Sequence, residues 1–139
     1  MTFGKCRFNK KYEYELLRFC NKLGYHIPGS ASKLLSYFER NYQPKSLISY
    51  ADRRWSCGKV YEKLGFKFIH TSAPNYWYFK NKSLLLESRV KYQKHKLKNL
   101  LEHFDENMTE VENMKANGYN RIFDCGNMVF EKEYLNGKK

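Results

Sequence analysis

Three groups of residues combine side-chain types and spacings that can do chemistry. His26-Ile27-Pro28-Gly29-Ser30-Ala31-Ser32 runs through a Pro/Gly break into a helical pattern. The first turn of a helix offers backbone N–H groups and the positive end of its dipole, which suit a phosphate or pyrophosphate. Gly29, Ser30, Ala31 and Ser32 are therefore a candidate anion cradle, and the same residues equally suit an ordinary tight turn capped by Ser30. Arg53-Arg54-Trp55 follows an apolar stretch. Two cations beside an indole suit a phosphate and a stacked base, or else a salt-bridged surface. The third group is basic: Lys5, Arg7, Lys10 and Lys11 near the start, and the run Arg89, Lys91, Lys94, Lys96 and Lys98 around His95.

Other chemistries lack their residues. A metal-dependent nuclease needs clustered carboxylates, or a His with a metal-binding partner. Asp52 stands alone, Asp105 and Glu106 fall in a loop, and His70 sits beside Thr71 at a strand end. Cys6, Cys20, Cys57 and Cys125 are scattered without C-x₂-C spacing, so neither zinc nor any other metal is expected. They read as reduced, mostly buried thiols.

The chain has 139 residues, with 26 Lys or Arg against 14 Asp or Glu, for a net charge of +12. A charge of this size on a small domain points first to a polyanion, with DNA the favoured partner. Tyr12, Tyr14, Trp55 and Tyr92 lie among the basic runs and could stack on bases or belong to the core. Hydrophobic content of 42% and aromatic content of 17% exclude a disordered chain. No apolar run approaches a membrane span and the N-terminus has no secretory pattern, so a cytoplasmic protein without a membrane partner is expected.

The elements that must position these groups follow from pattern. Residues 1–8 read as an edge strand, and 12–20 fit strand or helix. A helix carries Ala31, Leu34, Leu35, Phe38 and Tyr42 at helical spacing and ends at Gln43-Pro44-Lys45. Strands are expected over 46–51, 66–70 and 75–79, with a short helix over 58–64 closed by Gly65. A basic amphipathic helix is expected over 91–104. Thr109 and Glu112 form a capping box opening a further helix that closes at Asn117-Gly118. Gly126-Asn127 reads as the turn of a hairpin, and 136–139 as frayed. The fold class is α/β (α+β), a mixed sheet with flanking helices over 1–88 and a helical and β-hairpin appendix over 89–139.

Two motifs carry a resemblance. Tyr61-Glu62-Lys63-Leu64-Gly65-Phe66 is similar to the Tyr-x-x-Leu-Gly-Phe signature of GNAT acetyltransferases, and the Gly29–Ser32 turn loosely resembles their pyrophosphate motif, with His26 where Gln or Arg is usual. The resemblance covers about residues 1–80. It implies acetyl-CoA as cofactor and Tyr61 as general acid on the leaving thiolate. That family's fold begins with a strand, two helices and two further strands, so a truncated sheet is expected. Its first edge would be covered by a second copy or a partner chain. No convincing general base is visible; Glu13 and Glu15 lie near the relevant strand.

A longer set of motifs is Phe3-Gly4-Lys5-Cys6-Arg7-Phe8-Asn9-Lys10-Lys11-Tyr12, Gly29-Ser30-Ala31-Ser32-Lys33-Leu34, Ile48-Ser49-Tyr50-Ala51-Asp52-Arg53-Arg54-Trp55, Pro74-Asn75-Tyr76-Trp77-Tyr78 and Gly118-Tyr119-Asn120-Arg121-Ile122-Phe123-Asp124-Cys125-Gly126. It resembles the C-terminal region of bacteriophage-encoded homing-endonuclease-like proteins. That resemblance implies DNA association rather than acetylation. Three functions stand open: a nucleic-acid-binding module without a cofactor, an acetyl-CoA-dependent N-acetyltransferase, and a phage inhibitor docking on a host protein.

Overall fold

The computed structural model describes residues 1–83 and 85–134; the expected fraying of 136–139 lies outside them. In chain order the elements are β1 (Thr2–Lys5), β2 (Tyr14–Arg18), α1 (Ser30–Tyr42), β3 (Ser46–Asp52), α2 (Lys59–Lys63), β4 (Lys67–Thr71), β5 (Tyr76–Lys80) and β6 (Glu87–Ser88). A 3-10 turn (Arg89–Tyr92), α3 (Lys94–Leu97), α4 (Glu110–Ala116), β7 (Tyr119–Phe123) and β8 (Asn127–Glu133) follow. The protein is α+β, and the chain forms two compact units: residues 1–73 with the segment from Gly126 onward, and residues 74–125. The division placed at residue 88 on sequence falls inside the second unit. Among the described residues no helix is long and apolar enough to cross a membrane.

The first unit is a five-stranded mixed sheet of order β1-β2-β3-β8-β4. Among the described residues only β2 and β3 run parallel. Parallel neighbours need a crossover, and α1 supplies it. The ambiguous segment 12–20 is a strand because it alternates: Leu16 enters the core that α1 covers, and Glu15 points to the opposite face. Leu35 and Phe38 are the buried stripe of α1, and Phe3 stacks on Phe38 with ring centroids 3.7 Å apart. Each such fully buried side chain contributes roughly 1.5–3 kcal/mol. Gln43, at φ 44°, ends the helix in the left-handed region, and buried Pro44 follows. β1 lies at the sheet edge.

The second unit is a three-stranded antiparallel sheet of order β6-β5-β7 over a core of Tyr78, Tyr92, Leu97 and Met114. The basic helix expected over 91–104 is a 3-10 turn and one turn of α3, because Gln93 between them is extended (φ −61°, ψ 141°). Beyond α3 the backbone is held by side chains instead of a helical ladder: Asn117 Oδ1 accepts the His103 N–H at 3.1 Å, and Asn113 Oδ1 accepts the Asp105 N–H at 2.8 Å. Leu97 is buried and Leu101 and Phe104 pack beside it, while Leu100 is exposed.

The hairpin expected around Gly126 does not form. β7 pairs with β5, whereas β8 pairs with β3 and β4. Gly126 (φ 72°) has no room for a side chain, since a Cβ there would lie 2.3 Å from the Ser72 carbonyl oxygen. That is a close backbone approach rather than a two-residue turn.

Candidate functional site

The expected N-cap is displaced by one residue. Gly29, at φ 72°, caps α1, so Ser30 is already helical and its hydroxyl makes no cap bond. The Ser32 hydroxyl instead donates to the Gly29 carbonyl at 3.0 Å. The Ser30 and Lys33 N–H groups bond to the carbonyls of Ile27 and Gly29 at 3.2 and 3.0 Å. Among the described residues the Ala31 and Ser32 N–H groups have no such acceptor. They are the orphan donors of a helix start.

This turn opens on a groove. β2 pairs with β3 only as far as Leu16 opposite Ser49, while β3 runs on to Asp52. The strands part there, and two hollows flank α2. One, of about 340 Å³, has the Gly29–Ser32 turn and Lys63 in its walls. The other, of about 220 Å³, has Tyr50, Asp52, Trp55 and Tyr61. Phe19, Val60 and Leu64 border both. The structure thus places Gly29, Ser30, Ala31 and Ser32 on one hollow and Tyr61 on the adjacent one, the two motifs that sequence paired. The half-buried Tyr61 ring stacks on Phe130 at 5.0 Å and meets Phe66 edge-on at 5.8 Å. Its aromatic body therefore also belongs to the core.

At the far end of the groove lies the loop after β3. Trp55 is 84% exposed. Asp52 organises this loop: it accepts the Arg54 N–H at 2.9 Å and pairs with the Arg54 guanidinium through contacts of 2.6 and 3.1 Å. These hydrogen bonds hold the Asp52 carboxyl below its ordinary range. The Arg53 side chain is exposed and its N–H donates to the Gly126 carbonyl at 3.3 Å.

The other basic residues divide by what already neutralises them. Lys5, Lys10 and Lys11 are exposed, with Lys11 3.8 Å from Glu133. Arg7 is tied to Glu15 at 3.0 Å. Glu15 is buried, and a buried carboxylate needs such a partner. Glu13 accepts the Lys45 N–H at 2.8 Å, so both acids near β2 have structural duties.

In the second unit Lys91 pairs with Glu87, lowering the Glu87 pKa. The ammonium groups of Lys94 and Lys96 donate to the Glu106 and Val90 carbonyls at 3.2 Å, and Lys98 lies 3.7 Å from Glu106. Since α3 is one turn long, these cations do not line a single helix face, which corrects the helical phosphate surface expected there. Arg89 stands over the Tyr76 ring at 5.3 Å. Arg121, which sequence reasoning passed over, stands over the same ring at 5.2 Å. Its only signal is β7's pairing with β5, a contact between distant segments.

The aromatic candidates also separate. Tyr12 and Tyr92 are core, Tyr14 is half-buried, and Trp55 alone of the four is exposed. Cys20, Cys57 and Cys125 are exposed and Cys6 half-buried, contrary to the expectation of mostly buried thiols. Among the described residues no group of three or more His, Cys, Asp or Glu could hold a metal. Comparison with family models, curated proteins and solved structures found no match.

Proposed function

We propose that the protein is a nucleic-acid-binding module with DNA its favoured ligand, as the resemblance to the phage homing-endonuclease-like region implies. The observation that carries this reading is Trp55, 84% exposed directly after Arg53 and Arg54 on a chain of net charge +12. An indole so placed can stack on a base while the chain's excess of cations attracts the phosphates. The test is a titration of fluorescent duplex and single-stranded DNA at two salt concentrations, with acetyl-CoA as competitor. Binding weakens steeply with salt, ignores acetyl-CoA, and falls roughly 5- to 100-fold in Trp55→Ala. No binding at low salt removes the reading.

The groove supports a second reading, an acetyl-CoA-dependent N-acetyltransferase of GNAT type. The α1 N–H groups and Lys63 border one hollow and Tyr61 the next, an order that suits a pyrophosphate followed by a thioester. Tyr61→Phe keeps the ring packing and removes only the acid. On this reading the variant retains acetyl-CoA binding and loses turnover; wild-type protein that leaves acetyl-CoA unbound excludes it.

A further inference from the structure

We infer that the second unit carries a site for single-stranded nucleic acid, centred on the Tyr76 ring and the guanidinium groups of Arg89 and Arg121. The inference rests on the nucleic-acid reading above and locates a contact surface that the Trp55 loop does not include. Arg89 comes from the 3-10 turn and Arg121 from β7, yet both stand within 5.3 Å of one ring centroid. Tyr76 pairs across the strands with Phe123, their rings 5.5 Å apart. Arg121, two residues before Phe123, shares its face of β7 and lies 5.3 Å from that ring also. Phe123 is 54% exposed, and both arginines are exposed.

The neighbouring acids have partners of their own, and Asp124, next to Phe123, accepts the Asn75 N–H at 2.7 Å. Glu110 accepts the hydroxyl protons of Tyr76 and Tyr78 at 3.1 and 2.9 Å, anchoring the Tyr76 ring through its far end. Glu87 serves Lys91 and Tyr92. Arg7, Arg54 and Lys132 are each paired with a carboxylate. Among the described residues none lies within ion-pair distance of Arg89 or Arg121. A guanidinium resting on an aromatic face keeps its N–H edge free, and that edge matches a phosphate bidentately. Two such groups beside an exposed phenyl ring offer phosphate contacts and a stacking surface together. Bases reach such a surface only when unstacked from a partner strand, so the site favours single strands over duplex.

The test uses the full chain with labelled single-stranded DNA, single-stranded RNA and duplex DNA, read by fluorescence anisotropy across a salt series. Arg89→Gln and Arg121→Gln each weaken single-strand binding roughly 5- to 20-fold and flatten the salt slope by about one phosphate contact. Phe123→Leu narrows the preference for single strands over duplex. Lys91→Gln, whose cation Glu87 already neutralises, changes affinity less than twofold. The DNA and RNA arms show which sugar is preferred, with loss in the arginine variants expected in whichever binds. Wild-type protein that binds no nucleic acid at low salt overturns the broader reading and this site with it. Wild-type protein that binds, with Arg89→Gln and Arg121→Gln unchanged in affinity, slope and strand preference, overturns this site and leaves the broader reading standing. The Arg89 side chain is exposed and lies outside the sheet, so Arg89→Gln decides the matter even if a strand substitution at Arg121 disturbs folding.

Discussion

The Ser49 hydroxyl donates to the Leu16 carbonyl at 2.8 Å, at the last rung on which β2 and β3 pair. The bond clips the fork from which the groove opens, and Ser49 is 1% exposed, so water cannot replace it. Ser49→Ala should therefore cost about 1–2 kcal/mol, the usual penalty for depriving a buried carbonyl of its donor. Urea unfolding followed by circular dichroism measures it. An unchanged midpoint would show that the fork needs no clip.

The two ends of α2 offer a controlled comparison. Gly58 and Gly65 share nearly the same backbone, φ 77° and 78°. Alanine at either pays the left-handed penalty of about 1–2 kcal/mol. Their surroundings differ: a Cβ at Gly58 would lie 2.4 Å from Phe130 Cζ, whereas at Gly65 the nearest atom is the Lys132 side chain at 3.7 Å. Phe130 is 1% exposed and cannot swing aside. Gly58→Ala should lose a further ~1–3 kcal/mol through overpacking. Equal losses at the two positions would refute the steric argument.

Alkaline pH should unfold the protein through its phenols. Burial, followed by hydrogen bonds to Glu131, Glu110 and Glu39, raises Tyr12, Tyr78 and Tyr134 above their ordinary 10.0. Burial and bonds to Tyr119 and Glu87 do the same to Tyr92. A raised native pKa means the folded state holds the proton more tightly. The stabilisation is complete below pH 10 and is lost as pH rises beyond it, because the unfolded chain ionises first. Tyrosinate absorbance should show a group of the twelve tyrosines ionising only as far-ultraviolet circular dichroism collapses. Smooth titration of all twelve near pH 10 with the fold intact would contradict this.

Much of the first unit was legible in sequence because its signals are local. The Gln43-Pro44 stop and the Leu35 and Phe38 positions of the α1 stripe depend on residues within one or two turns, and both are present, although Leu34 and Tyr42 of that stripe are exposed; the Thr109/Glu112 capping box of the second unit is equally local and also forms. The Gly29–Ser32 turn and Tyr61 were legible as motifs. Their placement on one groove depended on where β2 leaves β3, which no short window encodes. The hairpin at Gly126 was misread for the same reason: β7 and β8 each find partners far along the chain. The helix over 91–104 does not form although its apolar spacing is real, because the backbone is extended at Gln93 and the side-chain amides of Asn113 and Asn117 take the later N–H groups. Arg121 looked like one more surface cation until β5 brought Tyr76 against β7.

Asn113 is the buried polar hub of the second unit, 1% exposed in the middle of α4. Its Oδ1 accepts the Asp105 N–H at 2.8 Å, while its Nδ2 lies 2.9, 3.3 and 3.1 Å from the carbonyls of Asp105, Met108 and Thr109. The amide thus holds the loop before α4 with both ends at once. Asn113→Leu fills the space but strands these groups, and should cost about 2–4 kcal/mol. Asn113→Asp is more informative. Its carboxylate still accepts from Asp105 but faces the three carbonyls without a donor, an arrangement that disfavours the charged form and raises its pKa. The variant should therefore be strongly destabilised at neutral pH. It should recover part of the loss as pH falls and the acid gains a proton to donate. Thermal midpoints of wild type and variant across pH 4–8 measure the difference. A gap between them that does not narrow toward acid would show that the amide's donors carry little of the stability.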